Sequence, residues 1–83
     1  MTETIKVIIP AYNEAKSIGK VIKALPSFVN EIIVVDNCST DETAINAQKL
    51  EATVLKEIKS GYGNACLKGV NYINEQKTRT DIV

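Results

Sequence analysis

The stretch IKVIIPAYNE, residues 5–14, decides the fold of this 83-residue chain. It begins with a run of mostly β-branched residues from Ile5 to Pro10, and the proline marks the end of a strand. Polar residues follow, with Asn13 predicted as a helix N-cap and Glu14 in the first turn. The apolar face of this helix is predicted at helical spacing from Ile18, Val21, Ile22 and Leu25, and Pro26 closes it.

The same strand-then-helix pattern returns in the second third of the chain. Glu31 to Asp36 carries four consecutive apolar residues, which is typical of a strand buried on both faces. Residues 39–42 have the S-x-x-E form of a capping box, in which Ser39 caps a second helix. The apolar residues predicted to face inward from this helix are Ala44, Ala47 and Leu50.

The last third of the chain predicts a third strand and helix, followed by the start of a fourth strand. Thr53 to Lys56 is a weaker third strand, and residues 57–63 form a glycine-bearing loop. Asn64 to about Gln76 is a third helix, and Asp81 to Val83 begins a fourth strand. The core positions predicted on the third helix are Cys66, Val70 and Ile73.

Alternating strands and helices predict an α/β fold, a parallel sheet of three to four strands with three helices and right-handed crossovers. We expect strand order 3-2-1-4, with the first two helices on one face and the third on the other. The switch point then lies beside the first strand, so a ligand would sit above residues 10–14. Residues 1–83 are predicted to be a single small domain, because a chain of this size builds only one core.

Composition excludes several classes of function. Ten basic and ten acidic residues cancel, which argues against nucleic acid as a partner. Histidine is absent, so neither a histidine base nor a histidine metal ligand is available. Cys38 and Cys66 lack zinc-like spacing and are expected to be reduced thiols of a cytoplasmic protein. We expect no secretory leader and no membrane-spanning segment in these residues.

Three segments carry the candidate binding residues. Tyr12 follows the first strand directly, and its ring could stack on a base. Asp36 ends a buried strand, where a carboxylate needs a partner such as the ring N–H of a pyrimidine. Gly61 belongs to a lone GxG before a helix, which lacks both GxGxxG and a P-loop but could hold phosphate beside Lys59. The complete candidate set is Pro10, Ala11, Tyr12, Asn13, Glu14, Asp36, Asn37, Ser39, Lys59, Gly61 and Gly63.

Two of these segments together, PAYNE at residues 10–14 and DNCSTD at residues 36–41, resemble the start of the family 2 glycosyltransferases of GT-A fold. The resemblance implies that the first segment contacts the nucleoside and that Asp36 recognises uracil. The commonest form of the second motif has an aspartate and a glycine where Asn37 and Cys38 stand. A left-handed backbone at Cys38 would be strained in a residue other than glycine.

By this resemblance the chain is the nucleotide-sugar-binding N-terminal part of a GT-A domain, ending before the D-x-D motif. The complete enzyme would transfer a sugar from a UDP- or GDP-linked donor to a lipid-phosphate or polysaccharide acceptor, with Mg²⁺ or Mn²⁺ as cofactor. The family's metal ligands and catalytic base lie beyond Val83, so these residues alone are expected to be inactive.

Two alternatives stay open: a non-catalytic nucleotide-binding module, and another nucleotide-binding α/β domain such as a nucleotidyltransferase-like protein. We also expect the chain to form homo-oligomers through the exposed edge of its first strand, because an unpaired strand edge offers free backbone donors and acceptors.

Overall fold

The computed structural model describes residues 5–75 and shows three strands alternating with three helices. The strands are β1 (Lys6–Ala11), β2 (Glu31–Asp36) and β3 (Thr53–Lys56), and the helices are α1 (Ile18–Lys23), α2 (Thr43–Lys49) and α3 (Tyr62–Glu75). The α/β class and the predicted strands are confirmed, but β1 is shifted by one residue, so Pro10 lies inside the strand and Ala11 ends it. The third helix begins at Tyr62, two residues before the predicted start at Asn64. Gln76 and the predicted fourth strand lie outside the described residues.

The three strands form a parallel sheet in the order β1-β2-β3, which agrees with the 3-2-1 part of the predicted order. Ala11 at the end of β1 is in register with Asp36 at the end of β2, and Asp36 is in register with Lys56 of β3. The register therefore brings the carboxyl ends of all three strands, and the loops that follow them, to one edge of the sheet.

The core has two parts, one on each face of the sheet, as the sequence predicts. On the first face, α1 and α2 bury Ile18, Ile22 and Ala47 against Val34 and other strand residues. On the second face, α3 buries Ala65 and Ile73 against Ile33 and Val35. The continuous apolar run of β2 supplies both faces, which explains why Ile33, Val34 and Val35 have no exposed surface.

The predicted apolar faces of two helices are partly wrong. Val21 and Val70 are each 43% exposed, although both were predicted to face inward. Ile18 and Ile22 are buried as predicted, whereas Gly69 is buried without having been predicted. In α3 the buried positions are Ala65, Gly69 and Ile73, because a glycine lets the helix approach β1 closely. A Cβ added at Gly69 would lie only 2.6 Å from Cγ2 of Ile8. The contact side of α3 is therefore set by its smallest residues.

Both cysteines are free thiols. None of the helices within residues 5–75 is long and apolar enough to cross a bilayer.

Candidate functional site

Hydrogen bonds join the loop after β1 (residues 12–17, the first loop) to the loop after β2 (residues 37–42, the second loop). Asn13 lies at the centre: its backbone N–H donates to Ser39 Oγ at 2.8 Å, and its Oδ1 accepts the N–H of Thr40 at 2.8 Å. Further along, the Glu14 N–H donates to Thr43 Oγ1 at 2.8 Å. The two loops thus form one unit at the end of the sheet.

These contacts overturn both predicted helix caps. Asn13 has φ +51°, outside the helical region, and α1 begins only at Ile18 with Ser17 as N-cap. Ser39 does not cap α2, which begins at Thr43, and the side chain of the N-cap residue Glu42 makes no capping hydrogen bond. The polar side chains bind a neighbouring loop instead of their own helices, so Asn13 and Ser39 stabilise the platform on which a ligand would rest.

Asp41 belongs to the same network. Its Oδ2 accepts the N–H of Ala15 at 3.2 Å, and its Oδ1 accepts both the N–H and the hydroxyl of Thr43. The hydrogen bond from the Thr43 hydroxyl is the main cause that lowers the pKa of Asp41, because it stabilises the ionised form.

Asp36 is 6% exposed at the end of β2. Its Oδ1 accepts the backbone N–H of Ser39 at 3.2 Å. The expectation that this carboxylate has no partner within the protein is therefore wrong, because the turn of the second loop brings a backbone donor to it. Asp36 also borders a small cavity of about 190 Å³, together with Cys38, Lys56 and neighbouring residues, so a ligand in that cavity could reach the carboxylate.

The loop after β3, residues 57–61 (the third loop), is tied to the second loop by Asn37 and Cys38. Asn37 is 6% exposed, and its amide makes three hydrogen bonds to the third loop. The Cys38 thiol donates to the carbonyls of Glu57 and Ile58 at 3.5 and 3.3 Å. Cys38 has φ +67°, so the left-handed backbone foreseen from the motif is present.

Two tyrosines border a groove between the first and third loops (the tyrosine groove). It consists of two cavities of about 230 and 430 Å³, and both are lined by Tyr12, Asn37 and Tyr62. Tyr12 is 59% exposed and Tyr62 is 76% exposed, so both rings are available to a ligand. The remaining lining residues are Pro10, Ala11, Glu14, Cys38, Ser60, Gly61 and Ala65.

Tyr62 was not among the residues predicted from sequence. The sequence signal that could have identified it is an aromatic residue between the two glycines of the GYG segment, where a helix begins. A hydrogen bond with the Cys66 thiol is the main cause that raises the pKa of the Tyr62 phenol, which therefore stays neutral at physiological pH.

The predicted site residues thus fall into distinct places. Pro10, Ala11, Tyr12, Glu14, Asn37 and Gly61 line the tyrosine groove, and Asp36 lines the adjoining cavity that shares Cys38 with it. Lys59 and Gly63 are exposed beside the groove and line neither of its two cavities. The Lys59 backbone N–H donates to Glu57 Oε2 at 2.8 Å.

Across residues 5–75, no three Cys, Asp or Glu side chains come together as a ligand set for a metal ion. The chemistry that these residues offer is recognition: two uncovered aromatic rings, one buried carboxylate and backbone groups of three loops.

Comparison with known proteins gives one consistent result. The model of the family described as glycosyl transferase family 2 matches residues 6–76. An uncharacterised glycosyltransferase of Mycobacterium tuberculosis is 40% identical over 68 residues, which are 82% of this chain and 31% of the relative. Protein RfbJ of Shigella flexneri is 47% identical over 62 residues, which are 72% of this chain and 48% of the relative.

A solved structure has the same fold. The crystal structure of glucosyl-3-phosphoglycerate synthase from Mycobacterium tuberculosis, in complex with Mn²⁺, UDP-glucose and phosphoglyceric acid, matches with a TM-score of 0.73 and 32% identity. The match covers 84% of this chain and 29% of that chain. The present chain spans about a third of the length (31%) of the uncharacterised glycosyltransferase of Mycobacterium tuberculosis.

Proposed function

This chain belongs to glycosyl transferase family 2, and we propose that it is the nucleotide-sugar-binding portion of an enzyme that transfers a sugar from a UDP- or GDP-linked donor to a lipid-phosphate or polysaccharide acceptor. The observation that carries this proposal is the tyrosine groove, which lies beside a buried carboxylate at the carboxyl ends of parallel strands. Ligands of open α/β sheets bind at this edge.

The groove suits a nucleoside more than a free sugar. The exposed rings of Tyr12 and Tyr62 offer flat surfaces, and base-to-aromatic stacking contributes about 1–3 kcal/mol per base. Asp36 accepts hydrogen bonds and donates none when ionised, so it favours a base with a ring N–H, as in uracil, over cytosine. UDP is therefore the first nucleotide to test, and UDP is also bound in the similar synthase structure.

The complete enzyme is proposed to use Mg²⁺ or Mn²⁺, since Mn²⁺ is present in the similar synthase structures. Residues 5–75 do not fit such an ion, because they bring no set of ligands together. The role proposed for the described residues is therefore binding and orientation of the nucleotide.

A non-catalytic nucleotide-binding module is the second candidate, because exposed aromatic rings beside a buried carboxylate serve binding alone equally well. It predicts the same nucleotide affinity without any transfer. Because residues 1–83 alone are expected to be inactive under either candidate, the test uses these residues in a full-length context. Incubating that protein with Mn²⁺ and UDP-glucose, and following the donor by NMR, separates the two candidates.

The nucleobase role of Asp36 is tested with Asp36→Asn, which keeps an oxygen for the Ser39 N–H and removes the charge. We expect UDP affinity at pH 7 to fall about tenfold, or about 1.4 kcal/mol, and the preference for UDP over CDP to narrow. Isothermal titration calorimetry with both nucleotides measures this. Glu51→Gln is the matched control, because Glu51 is exposed just after α2 and lines none of these cavities.

Equal UDP affinities in the wild type and Asp36→Asn would remove Asp36 from base recognition. A wild type that binds no nucleotide at all would remove the proposed function itself.

A further inference from the structure

The amide of Asn37 is committed to the third loop. Its Nδ2 donates to the carbonyl oxygens of Glu57 at 3.2 Å and Lys59 at 2.8 Å, and its Oδ1 accepts the N–H of Gly61 at 2.8 Å. Both amide hydrogens are used within the protein, and the residue is only 6% exposed. Although Asn37 lines the tyrosine groove, its polar atoms already have partners in the loop beside it.

The start of the third loop has other hydrogen bonds: the Glu57 N–H donates to the Asp36 carbonyl oxygen, and the Cys38 thiol contacts the carbonyls of Glu57 and Ile58. Further along, the amide of Asn37 joins Lys59 and Gly61 to the second loop. The third loop has no helix or strand, and the Ile58 side chain is 89% exposed. Gly61 takes φ +122°, a conformation that other residues rarely adopt. The next residue is Tyr62, the first residue of α3, so the path of the loop determines where this ring lies.

We propose that Asn37 is a positioning residue: its amide fixes the third loop and thereby places Tyr62 beside Tyr12, as the second aromatic surface for the base of a nucleoside diphosphate. This inference rests on the proposed function for the identity of the ligand. The indirect role of Asn37 follows from the partners of its amide in the third loop. The direct contact of Tyr62 follows from its exposed ring on the tyrosine groove.

The commonest form of the motif has an aspartate at this place, so the effect expected of Asn37→Asp is specific to the third loop of this chain, whose carbonyls accept from the amide Nδ2. Asparagine offers two donors to the carbonyls and one acceptor to the amide of Gly61. An aspartate of the same shape would keep the acceptor and turn a second oxygen toward the carbonyls of Glu57 and Lys59. Two partly buried hydrogen bonds would be replaced by repulsion between oxygens, so we expect the part of the loop from Lys59 to Gly61 to be displaced.

The first experiment needs no ligand. Amide hydrogen exchange of the complete 83-residue chain is measured by NMR for the wild type, Asn37→Asp and Asn71→Asp. Asn71 is exposed on α3, so its variant adds the same charge away from the loop. We expect the Gly61 amide to exchange at least tenfold faster in Asn37→Asp and to be unchanged in the control. Unchanged exchange in Asn37→Asp would overturn the positioning role.

The second experiment is a double-mutant cycle on UDP affinity. We expect Tyr62→Ala and Asn37→Asp each to weaken UDP binding about tenfold (about 1.4 kcal/mol), and the double variant to be no weaker than about tenfold. Tyr62→Phe, which keeps the ring, should bind like the wild type. A hundredfold loss in the double variant would mean that Asn37 contacts the nucleotide directly, and would overturn the indirect role.

If Asn37→Asp fails to fold, Gly61→Ala is a second variant that disturbs the third loop through its backbone conformation. Its Cβ would meet only the Asn64 amide, at 3.7 Å, so the change acts through φ rather than through crowding. We expect the same UDP loss, and again no further loss with Tyr62→Ala; unchanged affinity in Gly61→Ala would overturn the coupling of loop to ring. A wild type that binds no UDP would defeat the proposed function and the nucleotide role of Tyr62, while exchange at Gly61 would still decide the role of Asn37.

Discussion

At the scale of single residues, Cys38 has a backbone conformation that usually belongs to glycine, with φ +67°. The left-handed region costs an L-residue about 1–2 kcal/mol. We therefore predict that Cys38→Gly is more stable than Cys38→Ala by about 1 kcal/mol, although both lose the thiol contacts to the third loop. Urea unfolding followed by circular dichroism measures the difference.

The control is the same pair of substitutions at Asn71, inside α3. There alanine should be the more stable by about 1 kcal/mol, because glycine is the weaker helix former. If Cys38→Ala is also more stable than Cys38→Gly, then the positive φ at position 38 does not destabilise the folded chain as predicted.

The helix caps show why local patterns misplaced some residues. A capping box joins residues that are three apart in sequence. The residues that accept the N–H groups of Asn13 and Glu14 lie 26 and 29 residues away. Ser39 satisfies the local pattern and still binds another loop, because the parallel register brings that loop within reach. The burial of Asp36 could be predicted because it follows from the buried strand that Asp36 ends. Its hydrogen bond from the Ser39 N–H could not be predicted, because it depends on the turn that follows the strand.

At the scale of elements, β2 was predictable to the residue because a continuous apolar run leaves a strand little choice of register. The bounds of β3 were also predicted, although its apolar run is only Val54 and Leu55. The buried face of α3 could not be predicted from apolar spacing. Helical spacing selected Val70, but the helix buries Gly69, which makes the closest approach to β1. A search for apolar periodicity ignores glycine, so it misses contacts that depend on the absence of a side chain.

Gly69→Ala tests that packing. The new Cβ would lie 2.6 Å from Ile8 Cγ2, and overpacking of this kind costs about 1–3 kcal/mol. The gain in helix propensity is only about 1 kcal/mol, so we predict net destabilisation. Gly63→Ala in the first turn of α3 is the control, because its Cβ meets nothing within 4 Å and stability should hold or rise. Chemical unfolding of both variants measures this, and equal stabilities would contradict the close helix-to-strand contact.

At the scale of the whole molecule, strand order and the division of helices between two faces followed from alternation alone, because right-handed crossovers leave few arrangements. The tyrosine groove did not follow so simply. Its position was predictable from Tyr12 at the end of β1, but its second ring required knowing that Asn37 bonds the third loop. Side chains that act through a neighbouring loop are visible only once the loops are in place.

The free edge of β1 carries the last prediction, that the 83-residue chain self-associates. In the part of the chain that the structure describes, β1 pairs with β2 on one side and with no strand on the other. Unpaired backbone groups beside apolar side chains favour edge-to-edge pairing, and a symmetric dimer would satisfy both copies at once. Sedimentation equilibrium over a hundredfold range of concentration should show mass rising above the 9.1 kDa monomer. Over the same range, amides of β1 should gain protection from exchange, while those of the shorter edge strand β3 should not. A mass of 9.1 kDa throughout would mean that the β1 edge is protected within a single chain.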